Sequence, residues 1–200
     1  MLTEEDEIII VDNASTDNTK IQVNIIQNSF PDKKLIYIQN QTNLGFGTAN
    51  NIGAKRASGK NLIFTNNDVV VVGNFVKVIE TYLENHPKTA VGPSVIVHPT
   101  GWNDIWKEIS LIPYIEGWCM GLEAKMFWLV NGYDENIFID YDDIDISYRL
   151  HLASVGLARV EMPVFHPYYG NSFDNHPEER KKQTNISVDI FGKKWGFTRK

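Results

Sequence analysis

Four acidic side chains lie close together late in the sequence, at positions 140, 142, 143 and 145. Asp142 and Asp143 come directly before a segment whose apolar spacing predicts a helix, and the dipole at a helix N-terminus favours an ionised carboxylate. Such a group suits a general base or a metal ligand, whereas the structural alternative is N-capping. A cap needs only one side chain, so four carboxylates in six residues indicate that at least one of them is a general base or a metal ligand.

A further carboxylate interrupts an apolar stretch in residues 59–72, GKNLIFTNNDVVVV. Two apolar runs predict strands, and the polar island Thr-Asn-Asn-Asp at 65–68 separates them. An unpaired buried carboxylate costs several kcal/mol, so Asp68 is expected at a strand end that faces a cleft. A turn between two strands is the other interpretation, since Asn and Asp are common turn residues.

Two more candidates directly follow predicted strands. Asp12 comes after residues 7–11, EIIIV, a continuous apolar run typical of a strand that is covered on both faces. His166 comes after a predicted strand at 157–164. Ligands of parallel α/β sheets bind beyond the carboxyl ends of the strands, so both side chains are candidate ligand contacts. A helix cap for Asp12 and a satisfied loop histidine for His166 are the alternatives.

The elements that must position these residues alternate between strand and helix. Apolar runs predict strands that are separated by segments with helical spacing, at 21–30, 48–57 and 74–85. This order predicts an α/β domain over residues 1–175, followed by a helical, basic tail at 176–200. The tail could contact a membrane surface or could dock on the domain with its charged face in water.

Composition excludes several classes of protein. The formal net charge of -6 over 200 residues argues against a general nucleic-acid binder. A single cysteine, Cys119, excludes an internal disulfide and fits a reducing compartment. No apolar run approaches the ~20 residues that span a bilayer, and the acidic start MLTEEDE is unlike a signal peptide. A soluble, cytoplasmic protein, with the tail as its one peripheral membrane contact, is expected.

Six segments carry a resemblance to a known family. They occur in the order VDNASTDNT, NLGFGTANNIG, NNDVVV, GWCMG, NGYDENIFIDYDDIDISYRL and FHPYYGNS. Together they resemble family 2 glycosyltransferases of GT-A fold, especially the rhamnosyltransferase-like branch, over residues 7–170. The resemblance implies a GT-A-like (Rossmann-like), mostly parallel sheet flanked by helices. It also implies an N-terminally truncated fold that lacks the family's first strand and helix, so that reduced donor affinity, a homodimer or a partner chain is expected at the gap.

The resemblance also assigns roles to residues. It makes the segment at 66–68 the counterpart of the family's DXD motif, with Asp68 as a ligand of Mn or Mg and His166 completing the metal site. Asp143 corresponds to the catalytic base, and Asp142 is its acidic neighbour. The expected contacts to a UDP- or dTDP-linked sugar donor are Asp12, Asn13, Asn43, Gly47, Asn66 and Asn67.

The implied reaction is inverting transfer of a sugar, such as a hexose or rhamnose, to a hydroxyl of a glycan or lipid-linked acceptor in polysaccharide biosynthesis. Two other interpretations stay open. One is a non-catalytic fragment or pseudoenzyme that keeps the fold and acts as a binding or partner subunit. The other is a nucleotidyltransferase, although the Gly-rich basic phosphate loop expected of that class near the first strand is missing from the sequence.

Overall fold

The computed structural model describes residues 3, 6–96, 113–167 and 177–197. Its helices are α1 Thr19–Ser29, α2 Phe46–Arg56, α3 Phe75–Asn85, α4 Ala124–Leu129, α5 Asp142–Leu152 and α6 Pro177–Trp195. Its strands are β1 Glu7–Asp12, β2 Lys34–Gln39, β3 Asn61–Thr65, β4 Val70–Val71, β5 Thr89–Gly92, β6 Val95–Ile96, β7 Tyr114–Ile115, β8 Cys119–Glu123, β9 Gly156–Arg159 and β10 Val164–Phe165. The aromatic segment around Trp102 and Trp106 lies outside the described residues.

The described strands form four separate sheets. Strands β1 and β2 form a parallel pair, and a four-stranded sheet has the order β3-β8-β5-β9. In that larger sheet β8 is antiparallel to both β3 and β5, while β9 is parallel to β5. Two short antiparallel ladders, β4 with β10 and β6 with β7, complete the pairings. The expected α/β architecture is confirmed, but the strand directions are mixed rather than mostly parallel.

The antiparallel strand β8 accounts for this difference. Its sequence, CMGLE, carries a glycine in the middle, and a glycine without a side chain weakens any strand signal in a sequence. The structure explains the glycine, because a Cβ atom on Gly121 would come within 2.6 Å of Cγ2 of Ile79 on α3. Helix α3 therefore crosses β8 at a point where only glycine fits, and all five residues of β8 are buried.

Packing around β8 produces the main core. The side chains of Met120 and Leu122 are completely buried there, together with the rings of Phe64, Phe127 and Tyr133. The ring centroids of Phe64 and Phe127 lie 4.9 Å apart, and burial of such rings is a major contribution to core stability. Because β3, β5 and α4 pack around this strand, the loops at its amino end are held on a rigid scaffold.

Helix α5 carries the acidic cluster and is buried on more sides than its sequence indicates. Ile144, Ile146 and Leu150 are buried, while Leu152, which the spacing places on the buried stripe, is 58% exposed. Arg149 forms an ion pair with Asp145 one helical turn away, as the i,i+4 spacing predicts, but Asp145 is completely buried, so this pair is not a surface pair. The partners of Asp145 include residues of α6, which no local pattern can reveal.

Helix α6 packs against the rest of the chain along one face. Val188 and Phe191 are buried in a cluster with Tyr114, Tyr141 and Ile144. The ring of Phe191 lies 5.1 Å from that of Tyr141. None of the helices in the described ranges is both long and apolar enough to cross a bilayer.

Candidate active site

Asp68 and His166 lie 98 residues apart in sequence but are in direct contact. The short ladder of β4 with β10 pairs Val70 with Phe165, so the residues just before β4 face the residue just after β10. As a result, Nε2 of His166 lies 3.0 Å from Oδ1 of Asp68. The side chain of His166 is 13% exposed and that of Asp68 is 28% exposed, so both are partly accessible to solvent. A carboxylate oxygen and an imidazole nitrogen that converge in this way can share one divalent ion.

The loop of residues 116–118, between β7 and β8, packs directly against this pair. The indole of Trp118 stacks on the imidazole of His166 with 5.4 Å between ring centroids and 21° between planes. Its Nε1–H donates to Oε2 of Glu116 at 3.3 Å, and its carbonyl accepts from the backbone N–H of Asn66 at 3.0 Å. Asn66 therefore contacts the loop through its backbone, while Asn67 beside it is exposed. Trp118 fixes the orientation of the imidazole.

Asp143 contacts the same loop at Gly117. The backbone N–H of Gly117 donates to its Oδ2 at 3.0 Å, and the N–H of Ile144 donates to its Oδ1 at 2.8 Å. A Cβ atom on Gly117 would lie 3.2 Å from the Cβ atom of Asp143, so glycine permits this close approach. Burial raises the pKa of Asp143 to about 6, although the two N–H donors act against the rise and the negative charge of Glu116 adds to it.

Asp142 is the more buried member of the acidic pair. Burial raises its pKa well above the ordinary value, and the negative charge of Asp143 adds to the effect. Burial thus favours the protonated form of both carboxyl groups, and the repulsion between neighbouring carboxylates disfavours their ionisation at the same time.

Asp12 lies at the carboxyl end of β1, as the sequence predicts, but its carboxylate is already engaged. Its Oδ1 accepts from the N–H of Ser15 at 2.7 Å, and its Oδ2 accepts from the hydroxyl of Tyr37 at 2.5 Å. Burial works against the charge, but hydrogen bonds from Ser15 and Tyr37 outweigh it and lower the pKa of Asp12. The hydrogen bond to Asp12 raises the pKa of Tyr37 to about 12. Asp12 organises the loop that follows β1.

Three asparagines line the edge next to Asp12. The side-chain N–H of Asn13 donates to the carbonyl of Gly45 at 3.0 Å, and Asn40 donates to Oδ1 of Asn13 at 2.8 Å. Asn43 accepts from the N–H of Gly45 at 3.0 Å. Gly45 has a φ of +84°, and a Cβ atom there would meet the carbonyl of Phe138 at 2.6 Å. This segment therefore lies between the β1 edge and the loop that leads to the acidic cluster.

Gly47 has a packing role in the structure. A Cβ atom at this position would come within 2.9 Å of the Cβ atom of Tyr133, so the glycine lets α2 approach the buried tyrosine. Sequence reasoning missed Tyr37, Asn40 and Glu116. Asn40 could have been found, since it directly follows β2 and Asp12, at the same edge of the sheet, is the last residue of β1.

The fold is that of a GT-A-like glycosyltransferase domain. The sequence profile of glycosyl transferase family 2 matches residues 2–145, and the chain belongs to this family. No curated protein sequence matches the chain closely enough to count as a relative.

Solved structures support the same fold. The mannosyltransferase PcManGT from Pyrobaculum calidifontis, in complex with GDP-Man and Mn2+, is 18% identical with a TM-score of 0.61, over 77% of this chain and 45% of that one. GalNAc-T7 with UDP, GalNAc and Mn2+ is 18% identical with a TM-score of 0.60, over 76% and 35%. TarS 1–349 from S. aureus in complex with UDP is 15% identical with a TM-score of 0.57, over 96% and 63%. This chain thus spans about a third to two thirds of the length of those proteins.

Proposed function

We propose that this chain is an inverting glycosyltransferase that moves a hexosyl or rhamnosyl unit from a UDP- or dTDP-linked donor to a hydroxyl of a glycan or lipid-linked acceptor. One observation carries the proposal. The loop at 116–118 contacts His166, the partner of Asp68, through the ring of Trp118 and contacts Asp143 through the N–H of Gly117. One short segment therefore contacts both the pair proposed to act on the leaving diphosphate, Asp68 with His166, and the carboxylate proposed to act on the incoming hydroxyl, Asp143.

The pair of Asp68 and His166 fits a divalent ion. Two ligand atoms bound at about 2.1 Å and at a right angle around one ion are themselves about 3.0 Å apart, which is the separation of Oδ1 and Nε2 here. Within the described residues no group of three or more His, Cys, Asp or Glu side chains forms a metal site. Two protein ligands leave positions for phosphate oxygens and water, which suits Mn or Mg. Such an ion offsets the charge on a departing nucleoside diphosphate.

Asp143 has the properties of the base that takes a proton from the acceptor hydroxyl. Its pKa of about 6 lies near neutral pH, where general-base catalysis is most effective. Attack by the activated hydroxyl on the face opposite the leaving group inverts the anomeric centre. Burial raises the pKa of Asp142 beside it, which disfavours a second negative charge at the same site.

The nucleotide is proposed to lie along the edge that Asn13 and Asn43 line and to contact Asn66. Amide side chains can donate and accept at once, which suits the mixed donors and acceptors of a base and ribose. Asp12 supports this edge by fixing the Ser15 turn, since both of its carboxylate oxygens already accept hydrogen bonds.

Unpaired strand edges favour a second chain as a partner. Among the described strands, β1 pairs only with β2, and β3 pairs only with β8. Backbone groups on an open edge form a template for a further strand, so we propose that another chain or a second copy pairs there. A non-catalytic partner subunit is the alternative function that this observation favours.

A donor screen separates the enzyme from the non-catalytic subunit. UDP-, GDP- and dTDP-sugars are incubated with Mn2+ or Mg2+, and release of nucleoside diphosphate is measured beside thermal stabilisation. The enzyme is supported if one donor is cleaved in a metal-dependent reaction that Asp68→Ala abolishes. Failure of every donor to react, in a protein that is folded by circular dichroism, would refute the catalytic proposal.

A further inference from the structure

The acidic segment begins with two consecutive residues in an unfavourable backbone conformation. Asp140 has a φ of +57° and Tyr141 a φ of +64°, both in the left-handed region that residues with a Cβ atom rarely adopt. Such strain persists only where surrounding contacts fix it. Because Asp142 and Asp143 come directly after this turn, its geometry sets the direction in which both carboxylates point.

Helix α6 supplies the contacts that hold the strained turn. The hydroxyl of Thr184 donates to Oδ2 of Asp140 at 2.6 Å, and Nη2 of Arg180 lies 3.4 Å from its Oδ1. The ring of Phe191 packs against that of Tyr141, which is 1% exposed. The polar and the aromatic side chain of the turn are thus both held by the same helix.

The far end of α6 holds the segment on the other side of the acidic pair. Asp145 is completely buried, and its Oδ1 lies 2.8 Å from Nζ of Lys194 and 2.9 Å from Nε1 of Trp195. Arg149 satisfies its Oδ2 with an Nε–H bond of 2.8 Å. Lys194 also donates to Oδ2 of Asp134 at 2.6 Å. Asp142 and Asp143 are therefore bracketed by residues that α6 fixes at 140 and 145.

We propose that α6 is a positioning element for Asp143, and that Thr184 and Lys194 are its positioning residues. The inference rests on the proposed function, in which Asp143 is the base. Neither residue touches the proposed substrate positions; each acts through a carboxylate next to the acidic pair. The match to the family profile ends at residue 145, so α6 adds contacts from outside the matched region.

The variants Thr184→Val and Lys194→Met test this proposal in the full chain. Valine keeps the shape of threonine but cannot donate to Asp140, and methionine keeps much of the length of lysine but loses its charge. We expect kcat for sugar transfer to fall at least about 10-fold in each, with KM for the donor within about twofold, because small misplacements of a reacting group are costly. Thr184→Ser restores the hydroxyl and is expected to restore kcat.

Lys193→Met is the matched control, since Lys193 is exposed and adjacent to Lys194 in the same helix. It is expected to keep wild-type kcat. Amide hydrogen exchange adds a readout that needs no turnover: the peptide at 137–146 is expected to exchange faster in Thr184→Val and Lys194→Met than in Lys193→Met. Exchange in the β1–β2 peptide is expected to stay unchanged.

The possible failures are distinguishable. An inactive wild-type protein overturns the proposed function, and the exchange data then still decide whether α6 holds the turn. An active wild-type protein with unchanged kcat in both variants overturns the positioning role. A parallel loss of kcat, donor binding and thermal stability, without rescue by Thr184→Ser, also overturns it, since that pattern indicates general unfolding.

Discussion

Replacing Asp143 by asparagine removes the proposed base while keeping the shape of its side chain. The wild-type carboxylate accepts two backbone hydrogen bonds, from Gly117 at 3.0 Å and from Ile144 at 2.8 Å. Asparagine has one side-chain oxygen, so it can keep one of these bonds and loses the other. It has no lone pair that can take a proton from an acceptor hydroxyl near neutral pH.

The effect on folding can be worked out from the same contacts. One lost hydrogen bond costs about 0.5–1.5 kcal/mol. A pKa raised from 3.8 to about 6 means that the ionised carboxylate destabilises the folded state by roughly 3 kcal/mol above pH 6. Asparagine removes that penalty, so the variant is expected to be at least as stable as the wild type at pH 8. The loss of a general base lowers transfer by ~100- to 10,000-fold.

The assay compares transfer with donor binding in one preparation. Product formation and nucleotide release report the chemistry, and calorimetric titration of the donor with Mn2+ reports binding. Asp32→Asn serves as the control, because Asp32 is an exposed aspartate in the turn between α1 and β2. We expect Asp143→Asn to bind the donor as the wild type does and to lose transfer. If donor binding and transfer fall by the same factor, Asp143 is not the base.

Three further predictions follow from the same site. Asp68→Ala is expected to abolish the Mn2+-dependent part of thermal stabilisation by the donor; stabilisation that keeps its metal dependence would contradict the metal assignment. Turnover of the wild type is expected to rise as pH increases through about 6, because Asp143 must be ionised to act; a flat profile between pH 5 and 8 would exclude it as the titrating base. The pKa of Asp142 is raised in the folded state, so the wild type loses stability as pH rises and this carboxyl group ionises. Asp142→Asn removes the ionising group and is therefore expected to have a higher melting temperature than the wild type, by a margin that grows as pH rises above about 4. Equal melting curves of the variant and the wild type at pH 5 and 8 would contradict this.

The candidate site could be predicted from sequence as far as the positions of strand ends allow. Asp68 and His166 both border apolar runs, and polar residues at strand ends are easy to recognise. Their direct contact could not be predicted, because it depends on a ladder of two residues per strand. Burial at this run was predicted wrongly as well. A run of four valines indicates a buried strand, but Val71 is 52% exposed and Val72, just after β4, is 68% exposed.

The α/β fold class was predictable because it follows from alternating segments, whereas the mixed strand directions were not. Strand β8 is difficult to recognise in the sequence because Gly121 interrupts its apolar run. The glycine is needed because Ile79, on a helix distant in sequence, packs against this position. The buried position of Asp145 depends in the same way on Lys194 and Trp195, some 50 residues further along the chain. In each case the local pattern is correct in isolation, and a long-range contact decides the environment.

The spacing of the proposed catalytic groups depends on backbone rather than on long side chains. Gly117 holds Asp143 through its N–H, and Trp118 holds Asn66 through its carbonyl. The loop is itself closed by the N–H of Cys119, which donates to the carbonyl of Glu116 as β8 begins. Backbone groups at the start of a buried strand have little freedom to move, and catalytic groups on rigid elements keep their geometry best. The distance between Asp143, the proposed base, and the pair of Asp68 and His166 is therefore expected to depend on the same core that determines the fold, and α6 is proposed to fix the direction of Asp143 from outside.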